Sequence, residues 1–171
     1  AVVVQGSGEN ILSAEGRYDT THMNYPYGVH AAVVAVDRET GIARLEKFMI
    51  AYDIGCAINP MLVDGQLQGG LAQGIGGALF EEFTYDAAGQ PLSSTFADYI
   101  MPGSTEVPGA KILLTEDAPS PLNPLGIKGA GEGGINAVGA AIASAIDDAI
   151  GKPGAVTELP VTPRRLLGLL G

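Results

Sequence analysis

Cysteine is almost absent, with Cys56 standing alone in 171 residues. That excludes a disulfide scaffold and a cysteine-held zinc or iron–sulfur site within the chain. Histidine is nearly as rare, and His22 and His30 leave little for a catalytic metal triad. Basic residues are few, 9 against 19 acidic ones, and the net charge of −10 argues against nucleic acid or an anionic membrane surface as partner. No apolar run reaches the length of a transmembrane span. Residues Ala1 to Glu15 lack the basic start and long apolar stretch of a signal peptide, so a cytoplasmic setting is expected. An initiator methionine is also missing, which suggests a cut or processed start.

What is present is a chain that can build a core. Apolar residues make up 46% and charged residues 16%, which rules out intrinsic disorder. The length fits one domain, expected over 1–171. Glycine is the outlier, 25 residues or about 15%, against a usual ~7%. It clusters in two stretches, Gly65 to Gly77 and Gly126 to Gly139, both set in helix-like apolar sequence.

The pattern along the chain reads as α+β. After an extended connector over 16–27, small and β-branched residues from Val29 to Val36 predict a strand. Asp37 to Gly41 predict a tight turn, and Ile42 to Asp53 a returning strand. Asn59-Pro60 opens a proline-free stretch, Met61 to Phe83, that reads as a long glycine-rich helix. Six glycines there require tertiary packing to hold it, since each costs up to ~1 kcal/mol against alanine. Tyr85 to Pro91 is a turn, and Ser94 to Met101 and Ala110 to Thr115 are expected to be extended. Ile135 to Ile150 reads as an alanine-rich helix. Thr162-Pro163 starts a short closing helix through Leu170. The expected architecture is a β-hairpin and short sheet packed with the two main helices.

Two places carry candidate chemistry. In Gly126-Ile-Lys-Gly-Ala-Gly-Glu-Gly-Gly134 the carboxylate Glu132 sits among glycines that leave the backbone N–H groups open to a ligand. Glu132 reads either as a general base or as an acid in the first turn of a helix behind a flexible loop. The dinucleotide-binding fingerprint fits poorly, because no strand precedes the glycines, and no Gly-Lys-Ser/Thr closes a phosphate loop. In the second place, Asp64 to Gly74, Gln66 and Gln73 lie seven residues apart and share one helix face. Their amides either bind a polar heterocycle or face solvent, while Gln68 points elsewhere. His30 reads as a hydrogen-bonded structural residue, Cys56 as a small buried one, and Asp53 as a residue that caps or holds a turn.

Five stretches in register carry a resemblance. They are Tyr27 to Asp37; Asp53-Ile-Gly-Cys-Ala-Ile-Asn-Pro60; Gly65-Gln66 with Gln73-Gly74-Ile-Gly76; Phe96-Ala-Asp-Tyr-Ile-Met-Pro102; and Pro119 to Lys128 running into Gly129 to Gly134. Together, from about Glu15 to Gly171, they resemble the C-terminal end of the molybdenum-binding subunit of the xanthine dehydrogenase, aldehyde oxidase and aerobic carbon monoxide dehydrogenase family. The resemblance implies a C-terminal subdomain of an aldehyde oxidase-like, molybdenum-binding domain. It implies a component of an oxidoreductase that oxidises an aldehyde, carbon monoxide, a purine or an N-heteroaromatic with water-derived oxygen. Glu132 matches the family's general base. Gln66 matches the glutamine that bonds the pterin, Gly131 and Gly129 line the metal's face, and Lys128 and Gln73 are site-side residues.

The same resemblance implies molybdenum-molybdopterin, in the cytosine dinucleotide form, with no metal ligand supplied by this chain's side chains. Implied partners are the rest of the subunit, an iron–sulfur subunit, an FAD subunit and a small-molecule substrate. Family subunits are several-fold longer, so the isolated chain is expected to be inactive and to self-associate or need a partner. The sequence alone leaves two other readings open, a non-catalytic cofactor-binding or assembly module and a stand-alone anion-binding domain.

Overall fold

The computed structural model describes residues 15–19 and 22–171; most of the Ala1 to Glu15 stretch lies outside them. The elements are β1 (Tyr27–Val36), β2 (Ala43–Asp53), α1 (Pro60–Ile75), β3 (Lys111–Thr115), α2 (Val138–Ile150) and α3 (Pro163–Leu170). One π-helical turn, Gly76–Phe80, follows α1 directly. The strands form one sheet in the order β1-β2-β3, with β1 and β2 antiparallel and β3 parallel to β2.

The hairpin forms as its alternation predicts. Asp37 builds the turn, accepting from the Glu39 and Thr40 N–H groups while Gly41 takes the left-handed conformation at φ +72°. A bulge between Val33 and Val34 shifts the register and keeps the apolar side of both strands facing inward. That side presents Leu45, Phe48, Ile50 and Tyr52, all buried.

The two main helices bury residues at a strict four-residue step: Val63, Leu67, Leu71 and Ile75 on α1, and Val138, Ile142, Ile146 and Ile150 on α2. They join the sheet's inner residues in one core, closed by Val161 and Leu166. α1 starts as a capped helix, with Asn59 accepting from the Leu62 N–H and proline in the first turn. α3 uses the same device, with Thr162 accepting from the Arg165 N–H.

Three expectations need correction. The glycine-rich helix does not run to Phe83: regular helix ends at Ile75, where Gly76 and Gly77 weaken it. The Glu81 N–H then reaches back to the Gly76 carbonyl at 2.8 Å in an i→i+5 bond. Residues 94–101 are not extended. Thr95 accepts from the Asp98 and Tyr99 N–H groups through its carbonyl, and its hydroxyl bonds the Asp98 carboxylate, which folds the segment into a turn. The alanine-rich helix begins at Val138 rather than Ile135, because Gly133 and Gly134 are pressed against Tyr52 and Leu67 and the chain turns there first.

Candidate active site around Glu132

The loop from Gly126 to Ala137 crosses the C-terminal end of β2 and the face of α1. It is fastened at its root by Lys128. The Lys128 N–H donates to the Ile54 carbonyl at 2.9 Å, and its ammonium lies 3.2 Å from Asp53 Oδ1 and 4.8 Å from the centre of the Tyr27 ring. Asp53 is a hub. Its carboxylate also accepts from the N–H groups of Gly55, Asp117 and Ala118 and from the Thr115 hydroxyl. Burial pushes this carboxyl upward, but the three N–H bonds and the Lys128 ammonium outweigh it and hold its pKa at about 2. The expectation that Asp53 organises a turn is met.

Beyond Lys128 the loop opens. Among the described residues, no acceptor takes the N–H groups of Gly129, Ala130, Gly131 or Glu132. A Cβ added at Gly129 or Gly131 would meet nothing, so the backbone there faces open space. The Glu132 carbonyl accepts from the Ile135 and Asn136 N–H groups, which makes the turn before α2. The Glu132 carboxylate is exposed and forms no ion pair among the described residues.

Glu132 borders a cavity of about 450 Å³ whose other walls include Tyr52, Met23, Tyr25, Gly131 and Asn136. Tyr52 is 5% exposed, and its phenol is held above the usual value by burial and by the Glu132 charge. It therefore stays a neutral donor at neutral pH. Gln66 borders a neighbouring cleft of about 300 Å³, with Cys56, Ile58, Ile127, Lys128 and Ala130 among its walls. The loop 127–132 thus divides two hollows, the carboxylate on one side and the Gln66 amide on the other. A larger cavity, about 540 Å³, lies elsewhere, between the start of β2, Phe80 and Val161 to Pro163, and no residue of this loop borders it.

Gln66 and Gln73 are both exposed on α1, two turns apart. The helix does approach the loop: a Cβ at Gly70 would come within 2.8 Å of Gly134, and one at Gly74 within 2.8 Å of all three side-chain carbons of Val138. Gln73 borders neither hollow of the loop. Gln68 is held inward by a two-way bond with the Ala110 backbone, donating at 3.2 Å and accepting at 3.1 Å. Cys56 is half-buried at the Gln66 cleft rather than packed in the core. Tyr52 and the segment 22–26 form walls that spacing alone does not reveal, because they meet the loop only through tertiary packing.

Among the described residues the loop thus presents a row of open backbone N–H groups and a carboxylate without an ion pair, with the exposed Gln66 amide at the adjoining cleft. The chain belongs to the molybdopterin cofactor-binding domain family, whose model matches residues 2–108. It is 48% identical over 155 residues to the 6-hydroxypseudooxynicotine dehydrogenase complex subunit gamma of Paenarthrobacter nicotinovorans, covering 91% of this chain and 20% of that protein. Among solved structures, quinoline 2-oxidoreductase from Pseudomonas putida 86 superposes with a TM-score of 0.79 at 40% identity, over 84% of this chain and 18% of that one. A Cu,Mo-containing carbon monoxide dehydrogenase superposes with a TM-score of 0.83 at 33% identity, over 89% and 19%. The chain therefore spans about a fifth of the length of these relatives, which are oxidoreductases or parts of them. No helix among the described residues is long and apolar enough to cross a membrane.

Proposed function

We propose that this chain is the base-carrying part of the molybdopterin-binding subunit of a molybdenum hydroxylase, with Glu132 as general base. The observation that carries the reading is the unpaired Glu132 carboxylate on a loop whose N–H groups at 129–132 are free among the described residues. The residues fit the cofactor. Gly129 and Gly131 leave room for a large planar group against the backbone, the four N–H groups offer donors to its polar edge, and the Gln66 amide offers donor and acceptor from the neighbouring cleft. Lys128 contributes by holding the loop, with its charge engaged by Asp53, and Gln73 extends the amide face along α1. When bound, the molybdenum centre supplies two-electron acceptance and Lewis acidity.

Glu132 then takes up a proton from water-derived oxygen at its carboxylate, while Tyr52 keeps its own proton at the wall of the same cavity. The substrate is a carbon centre flanked by nitrogen or oxygen. An N-heteroaromatic is favoured because two of the relatives above act, by name, on nicotine-derived or quinoline compounds, and because the aromatic residues Tyr25 and Tyr52 line the cavity. The reading includes a cytosine dinucleotide form of the cofactor, the rest of the subunit, iron–sulfur and FAD subunits, and a cytoplasmic assembly. The isolated chain lacks the remaining walls and is inactive. Replacing Glu132 by Gln in the full subunit tests the reading. Molybdenum and pterin content should stay at the wild-type level while turnover falls ~10²–10⁴-fold, as for loss of a general base. Near-wild-type turnover at full occupancy would sink the assignment, and loss of cofactor would make Glu132 structural.

A further inference from the structure

One buried polar atom has no role in the site as described. His30 Nδ1 is, among the described residues, the one buried side-chain nitrogen or oxygen without a hydrogen-bond partner. The ring stands edge-on to Phe48, and its other nitrogen, Nε2, lies 3.0 Å from the Gly133 carbonyl. A carbonyl only accepts, so Nε2 carries the proton and Nδ1 keeps a bare lone pair. Burial holds the imidazole below its ordinary pKa, against the upward pull of the Gly133 carbonyl, and the ring stays neutral. An unpaired buried acceptor is unfavourable. Leucine or phenylalanine would fill this apolar face without it. What histidine adds is the donor to Gly133, the residue that follows Glu132.

Gly133 is held from a second direction. A Cβ there would fall on the ring carbons and hydroxyl of Tyr52, so the phenol packs directly against the loop backbone. His30 and Tyr52 belong to neighbouring strands, with Gly28 opposite Tyr52 and His30 opposite Ile50, so both side chains reach the loop from one face of the sheet.

We propose that His30 and Tyr52 form a clamp on Gly133 that positions the Glu132 carboxylate, His30 through its Nε2–H bond and Tyr52 through contact with the Gly133 backbone. The proposal rests on the reading of Glu132 as base. His30 is a positioning residue, acting through Gly133 and not on the substrate.

The experiment compares His30→Gln with His30→Asn in the full subunit, assembled with its partners. The glutamine amide nitrogen reaches where Nε2 stands; the asparagine amide reaches only the Nδ1 position. His30→Asn should lower kcat ~10–100-fold, since misplacement of about 1 Å costs ~10²-fold, with molybdenum content and KM close to wild type. It should also speed amide hydrogen exchange in the peptide 126–137. His30→Gln should restore most of both. Wild-type kcat and exchange in His30→Asn, or equal impairment in both variants, would overturn the clamp. If neither variant assembles, Gly133→Ala decides. It must lower kcat with Tyr52 in place, and Tyr52→Leu in the same chain must recover part of the loss. No loss, or no recovery, overturns the proposal. The Glu132→Gln variant separates the two ideas: if it turns over normally, the base assignment fails while the exchange difference stands. If it is inactive and His30→Asn behaves as wild type, the clamp alone fails.

Discussion

The Lys128 ammonium lies 3.2 Å from Asp53 Oδ1, with the two side chains 9% and 1% exposed. This pair joins the root of the Glu132 loop to the end of β2. Removing one member of a buried pair leaves the other charge without its counter-ion. Lys128→Met should therefore destabilise the fold by about 3 kcal/mol, the low end for a broken buried pair, because Asp53 keeps its N–H and hydroxyl donors. Urea midpoints of the full subunit and its variant measure this. A change below about 0.5 kcal/mol would mean the pair is not what fastens the loop.

The same carboxylate sets a pH dependence. Asp53 titrates near its ordinary value of 3.8 in the unfolded chain and at about 2 in the folded one. Between those values the unfolded state binds more protons, so the contribution is fully present above about pH 4 and is lost as pH falls toward 2. Urea midpoints should drop over that window, and Asp53→Asn should flatten the drop while lowering stability at pH 6. An unchanged slope in the variant would place the acid sensitivity elsewhere.

Glu132→Asp tests geometry where Glu132→Gln tests chemistry. Shortening the side chain by one methylene withdraws the carboxylate by about 1.5 Å, and misplacement of about 1 Å already costs ~10²-fold. The expected result is full cofactor content, a kcat loss of ~10²-fold or more, and retention of some base-dependent activity above that of Glu132→Gln. Equal activity in Asp and Gln variants would show that the carboxylate takes no proton.

Local signals made much of the fold legible. Small and β-branched residues over Val29 to Val36, the Asp37 to Gly41 turn and the returning strand after it specify the hairpin without long-range help, and Thr162-Pro163 marks a helix start by its own capping chemistry. The break after Ile75 has no such local signal, because it depends on Glu81 folding back over Gly76. In the site, Glu132 and Gln66 stand out because glycines surround them. His30 and Tyr52 do not. His30 meets Gly133 across 103 positions, and nothing in the sequence around a strand histidine or tyrosine announces a contact that only the packed sheet creates.

The glycines of the loop make a last, divided prediction. A Cβ at Gly131 meets no atom within 4 Å, whereas one at Gly134 would run into the Leu67 backbone, its Cα 2.8 Å away. Gly134→Ala should cost about 1–3 kcal/mol, as overpacking does in a tight interior, because neither the loop nor α1 can yield without the other. Gly131→Ala should leave stability within about 0.5 kcal/mol of wild type, since the methyl enters open space. That open space is also where the proposal seats the cofactor. The methyl would hold a large planar group off the free N–H groups of Gly131 and Glu132, so molybdenum and pterin content should fall in the full subunit although its fold is intact. Metal analysis together with thermal unfolding of the two variants reads both effects. A Gly131→Ala subunit with wild-type cofactor content would place the cofactor away from this backbone. A Gly134→Ala subunit of wild-type stability would mean that the loop does not press on α1.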